Sequence, residues 1–202
     1  MLRTIALFTL GTTLAFSAFA QPDPATVYAW FKADSGTLTN ASGTVTNWQN
    51  QATMGTPANR HLNQSSGTPS WVAGAGPNIT GPAIRLLGAG GAIHYLRGTN
   101  FGSLPDARTI VVYCRLIGIP SGGGFLFDGT TTPGLTRVQT DNTQWQIGVT
   151  NTGRAYNTPS LTFQTNLWQI HTFTFNKTNS GTVMSHSIFG GGSFVITNSS
   201  TN

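Results

Sequence analysis

Short apolar runs bounded by glycine, proline, asparagine and serine recur along most of the chain after residue 20. No long stretch has the 3.6-residue spacing of an amphipathic helix, whereas short runs between turn residues are typical of β-strands. Many short strands with frequent turns indicate a sandwich or barrel, so the pattern predicts an all-β protein. Residues 49–78, rich in polar and turn residues, are predicted to form a long surface loop. The predicted strands are 27–33, 83–87, 92–96, 109–117, 124–127, 135–140, 144–149, 168–176, 182–189 and 193–197.

Alternation of apolar and polar residues is clearest in the runs 109–117 and 144–149. Successive side chains of a strand point to opposite faces, so positions two apart share a face. In 168–176 the apolar phase slips from Trp168 and Ile170 to Phe173, which predicts a β-bulge or burial on both faces. The residues expected to share a face are Ile110, Val112, Cys114 and Leu116 in one strand, and Trp145, Ile147 and Val149 in the other.

Residues 1–20 have the three-part layout of a secretory signal peptide. Arg3 supplies the positive charge, an apolar run follows at 5–16, and small residues precede a predicted cleavage site after Ala20. A membrane anchor is the alternative, but the apolar run is shorter than the ~20 residues that a spanning helix needs. We therefore expect an exported protein, secreted or at the cell surface, in which 21–202 form one domain without membrane insertion.

Charge is scarce in this chain, at 7% of residues, where typical globular proteins have about 25%. The apolar content of 38% argues against a disordered chain. The net charge is +5, from ten Lys and Arg against five Asp and no Glu. The basic residues are scattered singly, whereas nucleic-acid binding needs a basic patch, so no nucleic-acid partner is predicted. An anionic polysaccharide is more compatible with the positive excess.

Six segments occur in a characteristic order along the mature chain. The first, 27–36, reads Val-Tyr-Ala-Trp-Phe-Lys-Ala-Asp-Ser-Gly, and the others are 45–48, 81–86, 91–96, 109–113 and 168–173. Together they resemble bacterial concanavalin A-like (laminin G-like) lectin/glucanase-superfamily domains, whose opening strand often reads Ala-Trp-x-x-Ala-Asp-x-Gly. The resemblance implies a two-sheet antiparallel jelly-roll sandwich for 21–202. It also implies a role outside the cell, often as one module of a larger protein.

The chain departs from that family in two respects. Family domains usually end with a further strand near the first one, whereas residues 198–202 are polar and turn-like. We therefore expect that the domain lacks its last strand or strands and is part of a longer polypeptide. Hydrolases of the superfamily use two glutamates with an aspartate between them, and this chain has no glutamate. No two aspartates are close in sequence and Gly-x-Ser-x-Gly is absent, so no catalysis is predicted, although a spatial pair of aspartates stays open.

Metal-binding residues are few. His171 and His186 fall on strands predicted to be hairpin partners, so we expect them near each other as polar residues of a sheet face, without a zinc site. Calcium is the better metal candidate, because laminin G-like domains often bind it and carboxylate oxygens suit it. Its candidate ligands are Asp34, Asp128 and Asp141. Cys114 is the only cysteine, so it forms no intramolecular disulfide, and we expect it to be an inert core residue.

Trp71 is the tryptophan expected to be most exposed, since it follows Pro69 and Ser70 in an irregular context. Exposed aromatic rings stack on sugars, so Trp71 is the candidate ligand-binding residue. The sequence thus favours a secreted or cell-surface binding module for glycans or extracellular proteins. A structural spacer domain of a larger surface protein is the main alternative, and a glycoside hydrolase of the same fold is the less favoured one.

Overall fold

A computed structural model describes residues 23–75, 81–87, 94–98, 101, 107–118, 124–128, 136–141, 144–149, 156–162, 164–178, 181–189 and 193–198. Within these ranges the chain forms fourteen β-strands, one short 3-10 helix at Pro57–Arg60 and no α-helix. All strand pairings in the sheets are antiparallel. The prediction of an all-β protein is confirmed. The predicted signal peptide, 1–20, lies outside the described residues.

The first half of the chain forms two small sheets. Their strands are β1 (Thr37–Thr39), β2 (Val45–Trp48), β3 (Leu62–Ser66), β4 (Ser70–Val72), β5 (Ala83–Arg85) and β6 (Tyr95–Arg97). One sheet has the order β1-β2-β3-β6, and the other pairs β4 with β5. Thr44 forms a single bridge with Ser70, which links the two sheets.

The second half forms two four-stranded sheets with longer strands. Their strands are β7 (Ala107–Arg115), β8 (Gly124–Asp128), β9 (Thr136–Asp141), β10 (Gln144–Val149), β11 (Tyr156–Thr162), β12 (Trp168–Thr178), β13 (Gly181–Ile188) and β14 (Ser193–Asn198). The long sheet has the order β14-β13-β12-β7, and the second has the order β11-β10-β9-β8. β10 lies next to β13 and β11 next to β14, so these two sheets contact each other.

Most of the largest buried side chains lie on one face of the long sheet, here called its inner face. Phe173 on β12 is opposite Ile110 on β7 and His186 on β13, and these pairings run along β12 without a register shift. Burial alternates residue by residue along β7, as expected for a strand with one covered face. Ile147 on β10 is also fully buried, so part of the core lies where the two sheets meet.

Three local predictions are wrong. Residues 27–33 form no strand, because side chains bind the backbone there: Asn50 Oδ1 accepts from the Trp30 N–H at 2.7 Å. Residues 49–75, the described part of the predicted loop at 49–78, are more ordered than a loop, since they include the 3-10 helix, β3 and β4. Of the two explanations predicted for the phase slip in 168–176, the bulge is wrong, because the register of β12 is continuous. Apolar residues lie on both faces of β12, with Phe173 buried on the inner face and Ile170 on the outer face.

Candidate functional site

Trp71 is fixed in place but open to solvent. It lies on β4 opposite Ile84, its backbone N–H donates to Gly43 O at 3.3 Å, and its indole N–H donates to Ala33 O at 2.9 Å. The residue is nevertheless 40% exposed. The predicted exposure of Trp71 is therefore confirmed. The indole hydrogen bond holds the ring against the turn at residues 32–35, so its open face is preorganised.

That turn carries the first calcium candidate, Asp34. Its Oδ1 lies 3.5 Å from Lys32 Nζ, and the Asp34 side chain is largely exposed. The Lys32 ammonium also lies 5.4 Å from the centre of the Trp30 ring. An exposed ion pair of this kind contributes little stability, so Asp34 is free to exchange Lys32 for another cation.

The other two calcium candidates are far from each other along the second sheet. Asp128 ends β8 opposite Arg137, whereas Asp141 ends β9 opposite Gln144. Four residues of β9 separate these positions, which is about 13 Å along a strand. Among the residues that the structure describes, no three His, Cys, Asp or Glu side chains lie together as a metal site. Calcium binding by Asp34, Asp128 or Asp141 stays a prediction.

An aromatic cluster lies on the outer face of the long sheet, opposite the buried face. Tyr113 on β7 contacts Trp168 on β12 edge to face, with ring centres 5.2 Å apart. Arg115 is the strand partner of Trp168, and its guanidinium lies 5.6 Å from the Trp168 ring centre. Ile170, opposite Tyr113, completes the group. We call these four residues the aromatic patch; Tyr113 is 50% exposed and Ile170 is 36% exposed.

The rest of the outer face is uncharged. Val111 and Val195 are each 62% exposed. Between them lies a strip of hydroxyl groups, in which the Thr174 and Ser185 side chains are hydrogen-bonded across β12 and β13. Thr172 is opposite Ser187 in the same strip. The sequence analysis did not identify this surface. The phase slip at 168–176 pointed to it, because it places Trp168 and Ile170 on the face opposite the buried Phe173.

Two histidines form a buried pair on the inner face. His171 Nδ1 lies 3.0 Å from His186 Nε2, and both residues are almost fully buried. The Phe173 ring stacks on His186 with centres 4.3 Å apart. Burial lowers the pKa of His171 from 6.5 to about 4. Burial, together with the His171 charge, lowers the pKa of His186 to about 3. Both rings are therefore neutral at pH 7, and the N–H of one donates to the other. Their predicted proximity is confirmed.

Cys114 points to the inner face with Ile110 and Val112, as predicted from the alternation of β7. Burial raises the pKa of its thiol to about 11. The thiolate is the nucleophilic form of cysteine, so this thiol is unreactive at neutral pH. Its position supports the expectation of a core residue.

No family model, curated protein or solved structure matches this chain. In the ranges that the structure describes, no helix is both long and apolar enough to cross a membrane. The resemblance to concanavalin A-like domains, drawn from short segments, stays a prediction.

Proposed function

We propose that this chain is an exported binding module for glycans, built as a two-sheet antiparallel jelly roll and without catalysis of its own. The signal-peptide layout of 1–20 supports export. The antiparallel sheets, with β10 next to β13 and β11 next to β14, support a sandwich. We further propose that the module belongs to a longer surface polypeptide.

The observation that carries the glycan proposal is the aromatic patch beside the hydroxyl strip. The apolar side of a sugar ring packs on aromatic rings, and Tyr113 and Trp168 present such a surface. Sugar hydroxyls both donate and accept hydrogen bonds, as do the Thr and Ser side chains of the strip. A rigid sheet holds these groups, so binding needs little ordering of the protein.

The aspartates give no support to hydrolysis. Glycosidases place their two carboxyl groups about 5–9.5 Å apart. Asp128 and Asp141 are separated by about 13 Å of strand, and Asp34 is in a different part of the chain next to Lys32. Calcium binding by Asp34 remains a separate part of the proposal, because carboxylate oxygens are ligands that suit this ion.

The test is a glycan screen with the purified protein and two variants, Tyr113→Ala and Trp71→Ala. We expect Tyr113→Ala to weaken binding of the recognised glycan by about tenfold, since an aromatic contact contributes about 0.5–1.5 kcal/mol and 1.4 kcal/mol is tenfold. Trp71→Ala should leave that affinity unchanged. Thermal melts of both variants establish that they are folded.

The opposite result assigns the surface differently. If only Trp71→Ala weakens binding, the glycan lies at Trp71 and the turn at residues 32–35, not on the long sheet. If the folded protein binds no glycan, the proposal fails and a structural spacer becomes the better description. Repeating the screen with calcium and with a chelator tests the cation, because a calcium-bridged ligand dissociates when the metal is removed.

A further inference from the structure

We infer that the ligand of the aromatic patch is an acidic polysaccharide, in which a uronate carboxylate binds Arg115 while the sugar ring packs on Tyr113 or Trp168. This inference rests on the proposed glycan-binding function and adds the class of glycan. It combines three features of the outer face of the long sheet: its charge, its geometry and its size.

Among the described side chains of this face, the charged one is Arg115. Arg115 is exposed at the end of β7. The chain has five acidic residues, all aspartates, and none of them lies in β7, β12, β13 or β14. No described carboxylate forms an ion pair with Arg115. After removal of the predicted signal peptide with Arg3, nine basic residues remain against five acidic ones, and this excess adds a long-range attraction for polyanions.

The geometry places the cation beside the rings. Arg115 and Trp168 are direct strand partners, and the guanidinium lies 5.6 Å from the Trp168 ring centre. Tyr113, two residues before Arg115 on β7, contacts the same ring with centres 5.2 Å apart. In a uronic acid the carboxylate is attached directly to the pyranose ring. A ring packed on Tyr113 or Trp168 therefore brings its carboxylate within reach of Arg115. The planar guanidinium can bind both carboxylate oxygens, which a lysine cannot match.

The size of the face fits a linear polymer better than a protein. Four strands spaced ~4.8 Å apart and six to eleven residues long give a surface of roughly 20 by 30 Å. That is about 600 Å², the lower end of what each partner buries in a stable protein interface. A second copy of this chain would therefore need nearly the whole face, including the polar hydroxyl strip. A short run of sugar rings crosses such a face easily.

The experiment compares charged and neutral forms of the same polymers. Polygalacturonate, alginate and hyaluronan, and the methyl ester of each, are titrated into the purified protein at fixed ionic strength. We expect at least one acidic polymer to bind about tenfold more tightly than its ester, which corresponds to a hydrogen-bonded charge pair. Arg115→Gln should abolish this difference. Arg85→Gln, an exposed arginine on β5, is the matched control and should retain it.

Each other result is decisive. If acids and esters bind equally, or Arg115→Gln keeps the difference, the inference is wrong while glycan binding stands. If Arg85→Gln and Arg115→Gln lose equal affinity, attraction by net charge explains the binding and the inference is also wrong. If no polymer binds in either form and the neutral glycan screen detects no binding, both this inference and the proposed glycan-binding function are wrong. Matching thermal melts of the two variants exclude a folding defect.

Discussion

At the scale of residues, the unusual feature is a histidine pair in the core of a protein with few charges. His171 and His186 share a hydrogen bond 3.0 Å long, and Phe173 covers His186. Neutral rings satisfy each other there, whereas a protonated ring is poorly solvated and repels a second charge. The pair is therefore stable as a neutral unit, and protonation of either ring opposes folding.

Stability should fall on mild acidification. The folded-state pKa values, about 4 for His171 and about 3 for His186, lie below the ordinary value of 6.5. The unfolded chain therefore binds more protons below pH 6.5. Stability is fully present above that pH and is lost as the pH falls towards 4. Between pH 7 and 5 we expect a loss on the order of 3 kcal/mol from the two rings.

Urea unfolding at the two pH values measures this loss. The double variant His171→Leu/His186→Leu should have a much flatter pH dependence than the unaltered protein. Equal unfolding free energies at pH 7 and pH 5 would contradict the expected role of the buried pair.

At the scale of elements, the sequence predicted strands well where apolar residues alternate and poorly where polar residues form the strand. The range of β10 was predicted to the residue, because Trp145, Ile147 and Val149 alternate with polar positions. β3 was missed because only Leu62 in it is apolar. β11 was missed because Pro159 interrupts it; it lies at the edge of its sheet, with a register shift, where proline is tolerated.

The candidate site was predicted less well than the fold. Trp71 was recognised from its irregular context, but the aromatic patch requires residues from β7 and β12, which are separated by about fifty positions of sequence. Only the antiparallel register brings Tyr113 and Arg115 next to Trp168 and Ile170. The sequence pattern contains no information on which strands pair. It therefore showed the phase slip at 168–176 but not that the outward apolar residues of β12 lie against Tyr113 of β7.

Two glycines in the turns of the small sheets should differ in how much a substitution by alanine destabilises the protein. Gly67, after β3, and Gly43, before β2, both have positive φ, of 63° and 78°. A side chain costs roughly 1–2 kcal/mol in this conformation. A Cβ on Gly67 would also overlap the His94 ring, whereas a Cβ on Gly43 would meet nothing within 4 Å.

We therefore expect Gly67→Ala to destabilise the protein more than Gly43→Ala, with the second variant losing about 1–2 kcal/mol. Chemical denaturation of the two variants side by side gives the difference. Similar losses would mean that His94 moves aside without cost and that backbone conformation alone determines both effects.

At the scale of the whole molecule, the ion pairing among the described residues contributes little to stability. Lys32–Asp34 is the ion pair found among the described residues, and its aspartate is largely exposed. The fold is held instead by apolar contacts such as those of Phe173, Phe175 and Met184, and by strand pairing. Salt acts on these two kinds of interaction in opposite ways, which gives a test.

Sodium chloride should hardly change the melting temperature. Raising its concentration from 20 to 500 mM screens exposed charges, and a single exposed pair contributes at most about 1 kcal/mol. Sodium sulfate should raise the melting temperature, because it strengthens the burial of apolar surface. A large loss of stability in sodium chloride would show that charges contribute more to this fold than its composition indicates.

The position of Cys114 on β7 has a practical consequence for studying the proposed ligand. β7 is an edge strand of the long sheet, and its single thiol points inward while Tyr113 and Arg115 point outward. Cys114 is partly buried, so a thiol reagent should modify it faster when this strand detaches from β12. A polymer seated on the outer side clamps the strand and slows the modification. The modification rate of Cys114 would therefore report whether a ligand is bound to its neighbours Tyr113 and Arg115 on the outer face.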